Sequence, residues 1–241
     1  MRMLAAIIAI CPCFAAEVPA RTLSAAEFSA LTKQCAPDAP LSTLRAIAKV
    51  ESAFYPLAIS INYPDKAPER LGLDEGTVGL SRQPKTLDEA VRWTKWLYSR
   101  GLTVSIGLMQ VNAEHLAGLG LSLEQAFDPC SNLKVGWTIL NTKYRTAAAV
   151  LGQGQLALHA AISSYNSGSL IAGFSNGYVG RVIQSKPEVS SIPALAGQLS
   201  MKEVSSIPRS VDPPSVPLVL EEQTEDPNGA PTRVSWRRIK N

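Results

Sequence analysis

The chain has 241 residues, a formal net charge of +3, and 46% hydrophobic residues. That is enough for one buried core with tails to spare, and the lack of any Lys/Arg run argues against a nucleic-acid binder. Two histidines, His115 and His159, stand far apart and match no zinc spacing, so they read as structural or surface residues, and neither a metal nor a cofactor is expected.

The N-terminus opens with Met1-Arg2-Met3, a short basic segment, followed by an apolar run over residues 4–16. That run is too short to span a bilayer, and Ala15, Ala16 and Ala20 provide small-residue cleavage points. Residues 1–20 are therefore expected to be a signal peptide, with a periplasmic destination and no membrane span after its removal. A buried N-terminal helix would account for neither the charge placement nor the small residues. A lipid anchor at Cys11 is disfavoured because Ile10 is bulky. Removal of Cys11 and Cys13 leaves Cys35 and Cys130 as a single pair in an oxidising compartment. They are a disulfide candidate, two buried free thiols being the other reading.

The mature region, taken as one domain over residues 21–185, opens with a capping box, Ser24 followed by Glu27. Pro37 and Pro40 end that helix and admit a second. In the second, Leu44, Ile47 and Ala48 fall on one face, and the next position of that stripe is Glu51. A carboxylate where an apolar residue belongs is costly unless it is paired, neutral or useful. Desolvation and the nearby helix C-terminus both push its pKa upward, which suits a general acid for glycosidic cleavage. Taken alone, Glu51 reads more readily as a helix-end residue that turns to solvent.

Residues 62–85 carry Pro64, Pro68, Gly72, Gly76, Gly79 and Pro84 and read as an irregular loop, a common kind of cleft wall. Thr86 and Glu89 begin another helix that Gly101 stops. Its Ala90, Trp93, Leu97 and Tyr98 form a core-facing stripe, and Trp93 and Trp96 are expected in the core rather than in a sugar cleft. Residues 103–106 read as a strand that could pair with 59–61. Helices follow around 122–127, 131–145 and 155–164. After Lys186 come eight of the seventeen prolines and, among aromatic residues, only Trp236. Residues 186–241 are expected to be a disordered, proline-stiffened tail. Its acidic patch (Glu221, Glu222, Glu225, Asp226) and basic end (Arg237, Arg238, Lys240) could bind a partner or simply be solvated.

Three segments then stand in order: Glu51-Ser52, Gly107-Leu108-Met109-Gln110 and Ser164-Tyr165-Asn166-Ser167-Gly168. Each is common, but the ordered set is specific. It resembles the catalytic domain of the family 1, goose-lysozyme-like lytic transglycosylases, over roughly residues 24–185. Ser164 stands where the family carries Ala, and Tyr178-Val179-Gly180-Arg181 fits its later Tyr-plus-basic mark. The helix before Gly107, the Phe127-Asp128-Pro129-Cys130 segment and the proline-rich extension resemble the branch found with type IV secretion and conjugation machinery.

The resemblance implies an α+β, predominantly α, lysozyme-like fold with a small antiparallel sheet. It also implies peptidoglycan glycan strands as substrate. Glu51 would protonate the bond between N-acetylmuramic acid and N-acetylglucosamine, then take the proton of the C6 hydroxyl to leave a 1,6-anhydro end. Ser52, Gly107, Met109, Gln110, Tyr165, Asn166 and Tyr178 would surround the substrate, with Tyr178 placed to hydrogen-bond Glu51. Met109 would line the cleft or the core without a chemical role. Ordinary glycosidases need a second carboxylate. No motif supplies one: Asp65, Glu69, Asp74 and Glu75 lie in the irregular loop and read as solvated rather than catalytic. A hydrolytic muramidase and a non-cleaving glycan-binding assembly factor are the competing readings, with secretion components as partners of the tail.

Overall fold

The computed structural model describes residues 20–62, 80, 82–185 and 205. All of these fall in a compact unit, Met1–Val211, and the second unit, Asp212–Asn241, lies outside them. The expected signal peptide except Ala20, the loop acids Asp65, Glu69, Asp74 and Glu75, and all of the expected tail except Ser205 also lie outside the described residues.

Helix α1 spans Ala25–Cys35 and is started by the Ser24/Glu27 capping box read from the sequence. Helix α2, Leu41–Ser52, begins after Pro40 without a side-chain cap. Its place is set by burial instead: Leu44, Ala46, Ile47 and Ala48 are all fully buried. Strand β1 (Ile59–Asn62), helix α3 (Leu87–Ser99), strand β2 (Thr103–Ile106) and strand β3 (Val111–Asn112) follow. The expected β1–β2 pairing is present and antiparallel, and β3 adds a third strand on the far side of β2. Two 3-10 turns, Ala113–His115 and Ala117–Leu119, lead to α4 (Leu123–Phe127) and the long α5 (Pro129–Leu151).

Helix α5 exceeds its sequence reading at both ends. Asp128 caps Ser131 N–H with Pro129 in the first turn, the combination that starts helices most firmly, and the run through Ala147, Ala148 and Ala149 carries it to Gly152. Helix α6 (Gln155–Ser167) ends at Gly168 in a left-handed conformation. The short α7 (Ala172–Ser175) and α8 (Tyr178–Gln184) were not legible, being too brief for periodicity to show. The described part is thus mainly helical with one small antiparallel sheet. None of its helices is long and apolar enough to cross a membrane.

One expectation needs correction. Trp93 does pack against the core, with the Arg82 guanidinium 4.8 Å from its ring. Trp96 does not: it is 53% exposed and lies under Arg100 at 3.8 Å. The buried stripe of α3 runs through Ala90, Val91, Thr94 and Leu97. Trp96 lies one residue, about 100° of helix, away from Leu97.

Cys35 and Cys130 form a disulfide across 95 residues of sequence, joining the end of α1 to the first turn of α5. Closing so long a loop restricts the unfolded chain, and removal of such a bridge costs about 2–5 kcal/mol. The Cys35→Ser/Cys130→Ser double variant should lose that margin of unfolding free energy, read as a lower urea midpoint. Equal midpoints for the variant and the oxidised wild type would show that the bridge contributes no stability.

Candidate active site

Glu51 lies in the last turn of α2, and the residues just after that turn fix it rigidly. Ala53 and Phe54 both adopt positive φ, 50° and 64°, a conformation uncommon for residues with a Cβ. The Ala53 N–H returns to Lys49 O and the Phe54 N–H to Ala48 O, closing the helix end. The Phe54 ring packs 5.1 Å from Phe28, and its carbonyl accepts from Leu23 N–H at 2.9 Å. The backbone under Glu51 is therefore held by α1 as well as by its own helix.

The second motif is a tight turn over residues 107–110, reached directly from β2. Gly107 has φ of 78°, and a Cβ there would lie 2.3 Å from Nδ2 of Asn132. Asn132 is the organiser of this turn and was not singled out in the sequence. Only 1% exposed, it accepts from Met109 N–H at 2.7 Å and donates to Ile106 O and Ala126 O at 2.9 and 2.8 Å. Its available signal was an amide beside Leu133 and Gly136 on the buried stripe of α5. Three further residues tie the turn to its surroundings. Ser52 Oγ donates to Leu108 O (2.8 Å), Tyr165 Oη donates to Met109 O (2.6 Å), and Gln110 Nε2 donates to Ala58 O and Gly107 O. Gln110, itself at φ 48°, accepts from Ser60 Oγ at 2.6 Å.

The three sequence motifs therefore converge, but their members divide in role. Glu51, Gln110, Tyr165 and Asn166 line one cleft of about 550 Å³. Ser52, Gly107, Met109 and Tyr178 are not among its lining residues and build the site from behind. Met109 is fully buried against Gly136, where any Cβ would meet it at 2.4 Å, so its side chain belongs to the core and only its backbone joins the network. Ser52 joins α2 to the turn, since its hydroxyl is bonded to Ala48 O and Leu108 O. Asn166 Oδ1 accepts from Asn176 Nδ2 at 3.0 Å, which leaves its own Nδ2 without a protein partner among the described residues.

The sheet forms a wall of this cleft that the sequence reading did not anticipate. Register places Ser60 opposite Ser105, and Ser105 opposite Asn112. Directly opposed residues share a face, so these three form a polar row, extended by Asn62, whose Nδ2 donates to Ser105 Oγ at 3.0 Å. All four line the cleft, while Ile59, Ile106 and Val111 point into the core. The signal was there in the alternation Ile59-Ser60-Ile61-Asn62. His115, expected to be structural or at the surface, also lines the cleft, together with Lys143. His159 is fully buried in α6. Among the described residues no three His, Cys, Asp or Glu side chains gather to hold a metal ion.

Glu51 is half-buried, and its electrostatics are those of an acid kept neutral. Loss of hydration raises its pKa from 4.5 to about 7, against the opposing pull of the Tyr178 hydrogen bond and the Arg181 charge. The Tyr178 hydroxyl donates to Oε1 of Glu51, so the proton of the neutral acid is left to Oε2. Burial, with the Glu51 charge beside them, also holds the Tyr165 and Tyr178 hydroxyls well above their ordinary range, so both remain donors. Among the described residues Glu51 is the only carboxyl group lining the cleft.

The sequence profile of the transglycosylase SLT domain matches residues 29–186. The chain is 41% identical over 166 residues to the type IV secretion system protein virB1 of Brucella suis biovar 1, covering 66% of this chain and 63% of that protein. It is 34% identical over 175 residues to protein virB1 of Agrobacterium tumefaciens, covering 73% and 67%. To protein virB1 of Agrobacterium fabrum it is 35% identical over 163 residues, covering 68% and 60%. The match thus spans less than two thirds of the length of the Brucella protein. No solved structure matches the chain.

The raised pKa has a consequence for stability with a definite sign. A carboxyl whose folded pKa lies above its unfolded value does not weaken the fold below pH 4.5, and its stabilising share is lost as pH rises through about 7. Glu51→Gln cannot ionise, so it should match wild type near pH 4 and exceed it by roughly 1–3 kcal/mol at pH 8. Chemical denaturation at the two pH values measures the difference. A gap that does not change with pH would show that Glu51 ionises normally.

Proposed function

The chain belongs to the transglycosylase SLT domain family, and we propose that it is a peptidoglycan lytic transglycosylase acting through Glu51. The observation that carries this reading is a half-buried carboxyl with a pKa near 7, the only one lining the cleft among the described residues. At neutral pH such a group is populated in both forms, which a residue acting first as acid and then as base requires. Neutral Glu51 transfers its Oε2 proton to the oxygen linking N-acetylmuramic acid to N-acetylglucosamine as the bond from C1 breaks. The resulting carboxylate then accepts the proton of the muramoyl C6 hydroxyl as that oxygen bonds to C1. The product is a 1,6-anhydro end, no water is consumed, and Glu51 returns to its protonated form.

A second carboxylate is not needed if the substrate's own acetamido oxygen stabilises the positive charge at C1. Tyr178 holds Oε1 throughout, so the carboxyl does not rotate between its two roles. Gln110, Tyr165 and Asn166, with the polar row of the sheet, offer hydrogen bonds to sugar hydroxyl and acetamido groups.

The related virB1 proteins of Brucella are described as type IV secretion system proteins. By that likeness the activity would open the cell wall locally for assembly of a secretion or conjugation complex. Residues 1–20 would export the chain to the periplasm, and the proline-rich residues 186–241 would contact complex components. A hydrolytic muramidase would share every residue of this site and differ only in the nucleophile that attacks C1.

Digestion of peptidoglycan by the full-length protein should release muropeptides one water lighter than hydrolytic products, as read by mass spectrometry. Glu51→Gln should lower their yield by about 10²–10⁴-fold. Fragments with reducing ends would make the protein a hydrolase, and no release at all would favour a glycan binder. Tyr178→Phe removes a hydrogen bond that lowers the Glu51 pKa, so the alkaline limb of its rate profile should move to higher pH. An unmoved limb would show that Tyr178 does not set the ionisation.

A further inference from the structure

We propose that Lys143 and His115 form an anion-recognising part of the cleft that binds a carboxylate carried by the glycan strand. This rests on the transglycosylase reading and adds a charge requirement to it. Lys143 lies one turn beyond Ile139 on α5, and both line the cleft, while His115 ends the 3-10 turn that follows β3. Apart from Glu51, the rest of the polar lining, chiefly Ser60, Asn62, Ser105 and Asn112, is neutral. Neutral hydrogen-bonding groups suffice for sugar hydroxyl and acetamido groups, so a glycan alone gives no reason for a cation there.

Neither group is engaged by a described residue. Among the described residues, Lys143 and His115 take part in no ion pair and no side-chain hydrogen bond. Glu114, the acid adjacent to His115, faces Asn112 Nδ2 at 3.4 Å. Nor do they serve the acid: the ionisation of Glu51 is governed by its burial, Tyr178 and Arg181. The Lys143 side chain ends in an ammonium group with three N–H donors, and the His115 ring offers an N–H donor as well. Two unengaged donors lining one cleft suit a carboxylate bound there.

Muramic acid supplies that chemistry in two ways. Its lactyl ether ends in a free carboxylate when the strand is denuded, and in an amide to a carboxylate-bearing peptide when it is not. Chitin oligomers have neither and serve as the neutral reference.

Binding is measured with full-length Glu51→Gln protein, which prevents turnover, against three probes: peptide-bearing strands, amidase-stripped strands and chitohexaose. Each is compared with the same protein carrying Lys143→Gln, Lys143→Glu or His115→Gln. Lys143→Gln should weaken the strand bearing the recognised carboxylate by about three- to tenfold, and Lys143→Glu by more, with chitohexaose unchanged. The strand that responds identifies the source of the carboxylate, and the difference should shrink with added salt. Equal losses on all three probes, or no loss on any, overturns the proposal and leaves the glycosidic reading intact. Failure of every probe to bind overturns both.

Discussion

Removal of one carboxyl group from water at the end of α2 is the constraint that the rest of the site accommodates. A desolvated glutamate is tolerable when neutral and unfavourable when ionised, and the surroundings of Glu51 moderate that penalty without cancelling it. The Tyr178 hydroxyl and the Arg181 charge draw the pKa down, and burial outweighs them, leaving it near 7. A stronger partner, such as a direct ion pair with arginine, would have made the group an inert carboxylate. No partner at all would have made it an acid too weak to ionise in the second half of a catalytic cycle.

Rigidity around that group comes from the core rather than from the cleft. The turn over residues 107–110 has two positive-φ positions, Gly107 and Gln110, and it persists because Asn132 satisfies its backbone from within. Ser52 and Tyr165 then tie the same turn to α2 and α6. The motifs meet because each contributes a bond to one short stretch of backbone. Their conspicuous side chains are thus divided between those that hold this backbone and those that face the cleft. Strain at Ala53 and Phe54 is held in the same manner, by the α2 cap and by Phe28.

Much of this was legible because it depends on local rules. The capping box at Ser24 and the start signal at Thr86 set helix beginnings, and Gly101 follows the end of α3 as read. The β1–β2 pairing followed from two short β-branched runs. The displaced Glu51 stood out because it interrupts an apolar stripe. What stayed hidden depends on contacts distant in sequence. Asn132 acts on a residue 23 positions away, and its place on the buried stripe of α5 marks it as buried without naming that partner. Met109 could line the cleft or the core by its place in a motif, and Gly136, distant in sequence, opens the space in α5 that takes its side chain. The polar row of Ser60, Ser105 and Asn112 needs the strand register before it becomes a wall. Trp96 was misplaced because a tryptophan near a buried stripe invites burial, although a guanidinium stacked on its ring serves it at the surface.

A neutral polar wall, one titrating acid and two basic groups without a partner among the described residues describe a cleft built for a glycan whose reaction needs a single proton carrier. Everything in that description turns on the ionisation of Glu51. The direct measurement is its side-chain carboxyl ¹³C chemical shift followed by NMR from pH 3 to pH 10 in wild-type protein. A titration midpoint near 7 is the expected result. A midpoint near 4.5 would mean that Glu51 is an ordinary carboxylate at neutral pH, and the acid-then-base role assigned to it would fail.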